Sequence, residues 1–306
     1  GSIASGITLA GTGAITKVTD GTVTFAGTRT TSGATNIQEG SLVLDYTTNN
    51  TSKIGGVLTL GAAQGNLTSP TSLVINGNDS SATAQSVTST TISNTGHTLI
   101  DINNGTSQTA ALALNAITRS VVGGTVGFDY ASTSATATTT NAATNSLGWA
   151  TVTTGGTTRI GAIDGTGNII QGVTDTQNSV TSWIDNTNVI NSGGGYSGTI
   201  SSCVTISSLT FDAAAASSVA IATGQVLNIT SGGILVNSTV GSFASTISGG
   251  SIYGANATNP GELIVHQNNS AAPLTISSSI LASSGVTKSG AGILVLSGNN
   301  NYLATG

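Results

Sequence analysis

Charged side chains are scarce in this sequence. Asp, Glu, Lys and Arg make up 6% of the 306 residues, where about 25% is usual for soluble domains. Few water-exposed helices can be built from such a composition, so helix is expected to be the minority state. A net charge of −5 without a basic cluster argues against nucleic-acid binding, which needs grouped Lys and Arg. The basic residues are dispersed, with no two adjacent: Lys17, Arg29, Lys53, Arg119, Arg159 and Lys288.

Cysteine and long apolar runs are also missing. Cys203 is the single cysteine, which excludes an intrachain disulfide, and we expect it to be a small buried hydrophobic side chain. No apolar run approaches the roughly 20 residues of a membrane-spanning helix, and no charged-then-apolar signal peptide opens the chain. If the protein is exported, a continuous ladder of backbone hydrogen bonds is one source of stability without disulfides.

Short apolar clusters recur between turns rich in Gly, Asn, Asp, Ser and Thr. A disordered low-complexity tract is the alternative, but 37% hydrophobic content and the regular clusters argue against it. Several clusters alternate apolar with Thr or Ser, as in Thr22–Phe25 and Val226–Thr230, which predicts strands with one buried face. We expect six leucines to point into a core: Leu42, Leu44, Leu58, Leu60, Leu294 and Leu296.

Alternation of this kind fits a β-sandwich, a closed barrel or a solenoid. Turn glycines directly before short strands, as in Ser248–Ile252, favour stacked coils, in which each strand pairs with the coils above and below. The sequence therefore predicts an all-β protein, a single-stranded, right-handed parallel β-helix. We expect one continuous β-solenoid over residues 1–306, with a less regular, loop-bearing region around residues 131–192 and coils of about 22 residues.

A repeated pattern lies at the two ends of the sequence. Residues 15–27 and 286–298 share a β-branched residue, Thr, Lys, a glycine turn, an alternating strand, a small residue and Gly. The first copy continues through residues 35–44, whereas the second stops at Gly306, so we expect the segment to be cut within a repeat.

These residues resemble the autotransporter-associated β-strand repeat, found in large exported repeat proteins common in planctomycete and verrucomicrobial bacteria. The resemblance is carried by Thr287–Gly292, Ser297–Tyr302 and Thr35–Leu44. The first copy departs from the pattern at Asp20–Gly21, which stands in place of a Gly-x-Gly turn. The resemblance implies a β-helical passenger exported to the cell surface, and it implies no catalytic residue, cofactor or metal.

Candidate chemistry is sparse. Hydrolysis of a glycoside needs two facing carboxylates, and the nearest set in sequence is Asp164, Asp175 and Asp185, whose spacing is shorter than a coil. We interpret them as isolated turn residues, and Asp164–Asn168 as a tight turn rather than a calcium loop. His97 and His266 lack a second ligand at metal spacing, and His266 is expected on the surface. Trp149 and Trp183 could stack on sugars, but burial is favoured.

We therefore expect a non-catalytic structural or adhesive element of an extracellular or cell-surface fibre. A carbohydrate-active solenoid enzyme with its site within residues 131–192, and a glycan-binding module, are the alternatives. The same end motifs predict self-association head to tail, or continuation into a longer chain, which would form a filament. Glycans or surfaces are the other partners considered, with no nucleic acid, no cofactor and no catalytic or metal-binding residue.

Overall fold

The structure is a computed structural model that describes residues 1–30, 32–61, 71–93, 96–255, 260–281 and 284–301. Strands dominate these residues, and helix is limited to two three-residue 3-10 turns, Val180–Ser182 and Ser238–Val240. The prediction of an all-β, helix-poor protein is confirmed. Tyr302 of the predicted repeat lies outside the described residues.

The chain forms two compact units. Unit 1 comprises Gly1–Thr144, Ala150–Thr158 and Ile163–Gln171, and unit 2 comprises Asn145–Trp149, Arg159–Ala162 and Gly172–Gly306. The first strands are β1 (Ser2–Ile3), β2 (Thr8–Leu9), β3 (Ile15–Phe25), β4 (Thr28–Arg29), β5 (Thr35–Asp45), β6 (Val57–Leu60), β7 (Thr71–Asn76), β8 (Thr83–Ser86), β9 (Ser89–Ile92), β10 (His97–Asn103), β11 (Ala110–Arg119), β12 (Thr125–Tyr130), β13 (Ala135–Thr139), β14 (Thr144–Thr154), β15 (Thr157–Ile163) and β16 (Asn168–Gln171).

The remaining strands belong to unit 2. They are β17 (Thr174–Thr176), β18 (Asn188–Ile190), β19 (Thr199–Ile200), β20 (Val204–Ile206), β21 (Ser208–Phe211), β22 (Ser217–Ile229), β23 (Gly233–Val236), β24 (Ser245–Ala255), β25 (Pro260–Gly261), β26 (Leu263–Gln267), β27 (Leu274–Ile276), β28 (Ser279–Ile280), β29 (Val286–Ser289) and β30 (Leu294–Leu296). The prediction of one continuous solenoid over residues 1–306 stays a prediction.

Bent strands give unit 1 its coiled organisation. Residues 35–37 of β5 pair in parallel with β6, whereas residues 40–45 of the same strand pair in parallel with β7. The bend falls at Gly40, whose φ of 71° is readily adopted by glycine. One strand thus contributes to two faces, and the next strands along the chain stack on each face, as the solenoid pattern requires.

Stacked core positions run in register through successive coils of unit 1. One column contains Val23, Leu42, Leu73, Ile100, Phe128 and Val152, and a second contains Ile3, Phe25, Leu44, Ile75, Ile102 and Tyr130. Such columns bury apolar surface continuously, and this burial is the main source of their stability. The predicted burial of Leu42, Leu44, Leu58 and Leu60 is confirmed.

Coil length varies more than expected. Thr22 pairs with Ser41, whereas Val57 pairs with Ser89, so the chain between two register partners is much longer in the second case than in the first. Parallel pairing nevertheless prevails in the part of the chain that the structure describes. Near the end of unit 1 the pattern changes, because β13 pairs in parallel with β11 but antiparallel with β16.

Unit 2 contains two largely parallel sheets. One follows the order β17-β18-β21-β23-β26-β29, and the other is built on β19-β22-β24-β27-β30. Val219, Ile247, Ile276 and Leu296 form a column in the second sheet. Leu294 and Leu296 are only partly buried against this core, so the prediction that they point inward holds while full burial does not. The reason is that, among the described residues, β30 pairs with β27 alone.

Candidate interaction surfaces

The three aspartates singled out in the sequence have separate local roles. Asp164 closes its own turn: Oδ1 accepts hydrogen bonds from the backbone N–H of Thr166 (2.8 Å) and of Asn168 (2.9 Å). Hydrogen bonds from the Asn168 side-chain amide and the Thr166 hydroxyl, followed by these backbone bonds, hold the pKa of the Asp164 carboxyl well below its usual range. Asp175 lies on β17, so the expectation that it is a turn residue is wrong, and Asp185 accepts a hydrogen bond from the backbone of Thr205 at 3.3 Å.

The structure brings together a different pair of carboxylates. Asp101 on β10 and Asp129 on β12 are register partners on adjacent coils. Partial burial and the neighbouring Asp101 charge raise the pKa of the Asp129 carboxyl. The two side chains lie beside one another on a single face, whereas glycoside hydrolysis needs two carboxylates on opposite sides of the bond. Within the described residues, no group of three or more His, Cys, Asp or Glu could hold a metal ion.

His266 is buried, contrary to the expected surface position. Its exposed fraction is 1%, and Nε2 lies 2.8 Å from the carbonyl oxygen of Gly148, to which it can donate. Gly148 contacts this side of β26, and all five residues of the strand are buried. The other histidine, His97, is partly buried beside Thr125, and its burial lowers the pKa of the imidazole.

Cys203 and the two tryptophans differ in how far they are exposed to solvent. Cys203 is exposed, so the expectation of a buried side chain is wrong; it lies in the turn before β20, outside the core columns. Trp183 is buried in unit 2, edge-on to Tyr196 with ring centroids 5.4 Å apart. Trp149 is partly exposed. Burial is therefore confirmed for Trp183, whereas Trp149 is only partly covered.

Half of the basic side chains are directed inward. Lys17, Arg29 and Lys53 are buried, with exposed fractions of 7%, 6% and 0%. The Lys53 ammonium donates to the carbonyl oxygens of Ala26 (2.9 Å) and Asn49 (2.7 Å). It also lies 4.9 Å from the centre of the Tyr46 ring, within cation–π distance. These charges satisfy backbone carbonyls inside the fold, so the outer surface is still poorer in charge than the composition indicates.

Uncharged side chains form regular columns on the outside of unit 1. One of them, the threonine column, runs across β3, β5, β6, β9 and β11: Thr16, Asn36, Thr59, Thr91 and Thr118. The hydroxyls of Thr59, Thr91 and Thr118 have no hydrogen-bond partner within the described residues. The neighbouring column consists of Val57, Ser89 and Ala116. Hydroxyl and methyl groups thus repeat at the spacing of adjacent strands, about 4.8 Å.

None of the helices in the described residues is both long enough and apolar enough to cross a membrane.

Sequence comparison relates the chain to an autotransporter protein. It is 34% identical over 281 residues to the Adhesin BmaC autotransporter of Brucella suis biovar 1 (strain 1330). The alignment covers 88% of this chain, and the chain spans 8% of the length of that adhesin. No protein-family model and no solved structure matches the chain. The chain is thus autotransporter-related, while its assignment to the autotransporter-associated β-strand repeat stays a prediction.

Proposed function

We propose that this chain is a non-catalytic adhesive element of a protein exported to the bacterial cell surface. The observation that carries the proposal is the 34% identity to an autotransporter adhesin across 88% of the chain. Because the chain spans a small part of that adhesin, the proposal concerns a local role as a folded, surface-presented element.

The architecture supports this role in two ways. Parallel coils with stacked apolar columns make a stable scaffold without disulfides. On its outside, the threonine column offers hydroxyl and amide groups with no charge to repel other surfaces. The specific form of the scaffold, a right-handed single-stranded β-helix of the autotransporter-associated repeat type, is part of the proposal.

A bead-adhesion assay tests the proposal. Latex beads coated with the folded chain are expected to attach to cultured epithelial cells, or to wells coated with extracellular matrix, in excess of beads coated with albumin. Beads coated with the chain after irreversible heat unfolding control for general stickiness. Equal counts for the folded chain and albumin on every surface would remove the adhesive role.

Absence of catalysis needs a separate assay. We expect no release of reducing sugar from neutral or acidic polysaccharides, because Asp101 and Asp129 lie side by side on one face and the described residues that line the cavity of unit 1 include no Asp or Glu. Turnover that disappears in Asp101→Asn or Asp129→Asn, and persists in the exposed control Asp79→Asn, would show an enzyme instead.

Head-to-tail association belongs to the proposal as well. In the described part of the chain, β1 and β30 each pair with one neighbouring strand, and unpaired strand edges recruit further strands. Sedimentation velocity is expected to show oligomers that grow with protein concentration. A single monomeric species at every concentration would remove self-association while leaving bead adhesion unaffected.

A further inference from the structure

A cavity of about 340 Å³ opens near the end of unit 1. Its wall is formed by the end of β12 and the turn that follows it, by β13, and by parts of β14 and β16. The volume lies at the lower end of the range for small-molecule sites. All of the lining residues belong to unit 1.

The cavity results from the change in strand direction. On one side β13 continues the parallel stack by pairing with β11, but on the other side it meets β16 antiparallel. The Tyr130 hydroxyl donates to the carbonyl oxygen of Ile169 at 2.9 Å, which ties β12 to β16. The Gln171 amide donates to the carbonyl oxygens of Val152 and Thr157. These bonds fix the cavity walls in place before any ligand arrives.

The lining combines free hydroxyls with apolar surface and lacks charge. Thr133, Thr136 and Thr154 contribute hydroxyls that have no hydrogen-bond partner within the described residues. The half-buried Ile170 adds apolar surface. Since no Lys, Arg, Asp, Glu or His among the described residues lines the cavity, neither an anion nor a cation would gain a compensating charge there.

We propose that this cavity binds an uncharged sugar residue of a glycan. A sugar ring presents hydroxyls that can both donate to and accept from the three threonines, and C–H groups that can pack on Ile170. A preformed, neutral, partly apolar cavity with a few hydrogen-bonding groups matches that chemistry. The inference rests on the proposed adhesive function and deepens it by naming the class of receptor.

Saturation-transfer-difference NMR on the whole chain tests the inference directly. The probes are glucose, galactose, mannose and N-acetylglucosamine, each added alone, with glucuronic acid and N-acetylneuraminic acid as charged comparators. At least one neutral sugar is expected to give a signal that titrates to saturation, and the acidic sugars are expected to bind more weakly. No signal from any of the four neutral sugars, or tighter binding of an acidic one, would overturn the inference.

Matched variants locate the binding. Replacing Thr133, Thr136 and Thr154 together by Val keeps the side-chain shape and removes the hydroxyls, so the dissociation constant is expected to rise about tenfold or more. The control replaces the exposed Thr8, Thr22 and Thr88, which lie outside both the cavity lining and the threonine column, by Val, and should bind as the original chain does. Should the triple cavity variant not fold, Thr154→Val alone and Thr136→Trp, which narrows the cavity, replace it. Equal loss in the control and the cavity variant would contradict the location.

The bead assay separates this inference from the proposed function. Adhesion that persists in the cavity variant, with no sugar bound by the original chain, leaves the adhesive role standing and overturns the sugar site. Saturable sugar binding by a chain whose beads attach to no surface supports the cavity and removes the adhesive role.

Discussion

The two copies of the repeated motif differ in how deeply they are buried. Residues 15–27 include β3, which lies between β1 and β5 and so pairs on both sides. Residues 286–298 form β29 and β30, and β30 pairs with β27 alone in the described part of the chain. Phe25 is accordingly 2% exposed, whereas the matching Leu296 is only partly buried. The same pattern thus yields a core strand or a half-covered strand according to what stacks on it.

The lysine of the motif shows the same contrast. Lys17 donates to the carbonyl oxygens of Thr19, two residues on, and of Glu39 on the next coil. Lys288 donates to the carbonyl oxygen of Gly290, also two residues on, and is exposed. The bond to the turn therefore belongs to the motif, while the bond across coils depends on the neighbouring coil.

The largest expected effect is at the matched core positions. Phe25→Ala removes a ring held between Ile3 and Leu44 and is expected to lower the free energy of unfolding by about 3 to 4 kcal/mol. Leu296→Ala should cost about 1 to 2 kcal/mol, because its side chain is partly exposed before the change. Urea unfolding followed by far-ultraviolet circular dichroism measures both. Equal losses would mean that the two copies are stacked alike.

At the turn glycines we expect the larger loss of stability in the second copy of the motif, the reverse of the result expected at the core positions. Gly290 has a φ of 80°, and an added Cβ would overlap the carbonyl oxygen of Gln267, so Gly290→Ala is expected to cost about 2 kcal/mol or more. Gly21 has a φ of 89° with open space around it, so Gly21→Ala should cost about 1 kcal/mol from backbone strain alone. The same urea titrations measure the loss of unfolding free energy in both variants. A greater loss at Gly21 would contradict the close stacking of the second turn on β26.

The smallest expected difference in stability between the two copies is at the lysines. Lys17→Met removes two hydrogen bonds from a charged donor in a buried site, and a loss of about 1 to 2 kcal/mol is expected. Lys288→Met removes an exposed interaction and should change stability by less than about 0.5 kcal/mol. Thermal unfolding at fixed pH and salt measures the pair. If Lys17→Met were neutral, the bond between coils would contribute nothing to stability.

Alternation in the sequence was sufficient to predict the strands and much of the core. Leu42 and Leu44, or Leu58 and Leu60, face inward because side chains two residues apart share one face of a strand. The antiparallel pairing of β13 with β16 was not predictable, since the pattern of β13 differs little from that of the parallel strands. Because the coils differ in length, the sequence has no fixed period from which the register partners in neighbouring coils could be predicted.

The positions of these polar residues depend on contacts with distant parts of the chain, which a local sequence pattern does not predict. His266 follows the apolar run Leu263–Val265 in the sequence, which predicts a surface position, but it lies within β26 and contacts Gly148, far earlier in the chain. Lys53 stands in a polar stretch, and its burial depends on the carbonyl of Ala26. Asp101 and Asp129 meet only because the coil between them has the length that brings β10 and β12 into this register. No short-range pattern encodes such a distance.

The variable coil length has an evolutionary consequence. Leu42, Leu73 and Ile100 remain stacked although the stretches of chain between them differ in length, so length changes are absorbed in the turns and not in the core. Insertions and deletions at these turns can therefore be neutral for folding while they alter what the surface displays. In a scaffold of this design, selection by a host or a habitat can diversify the exposed loops while the inherited register of the core stays constant.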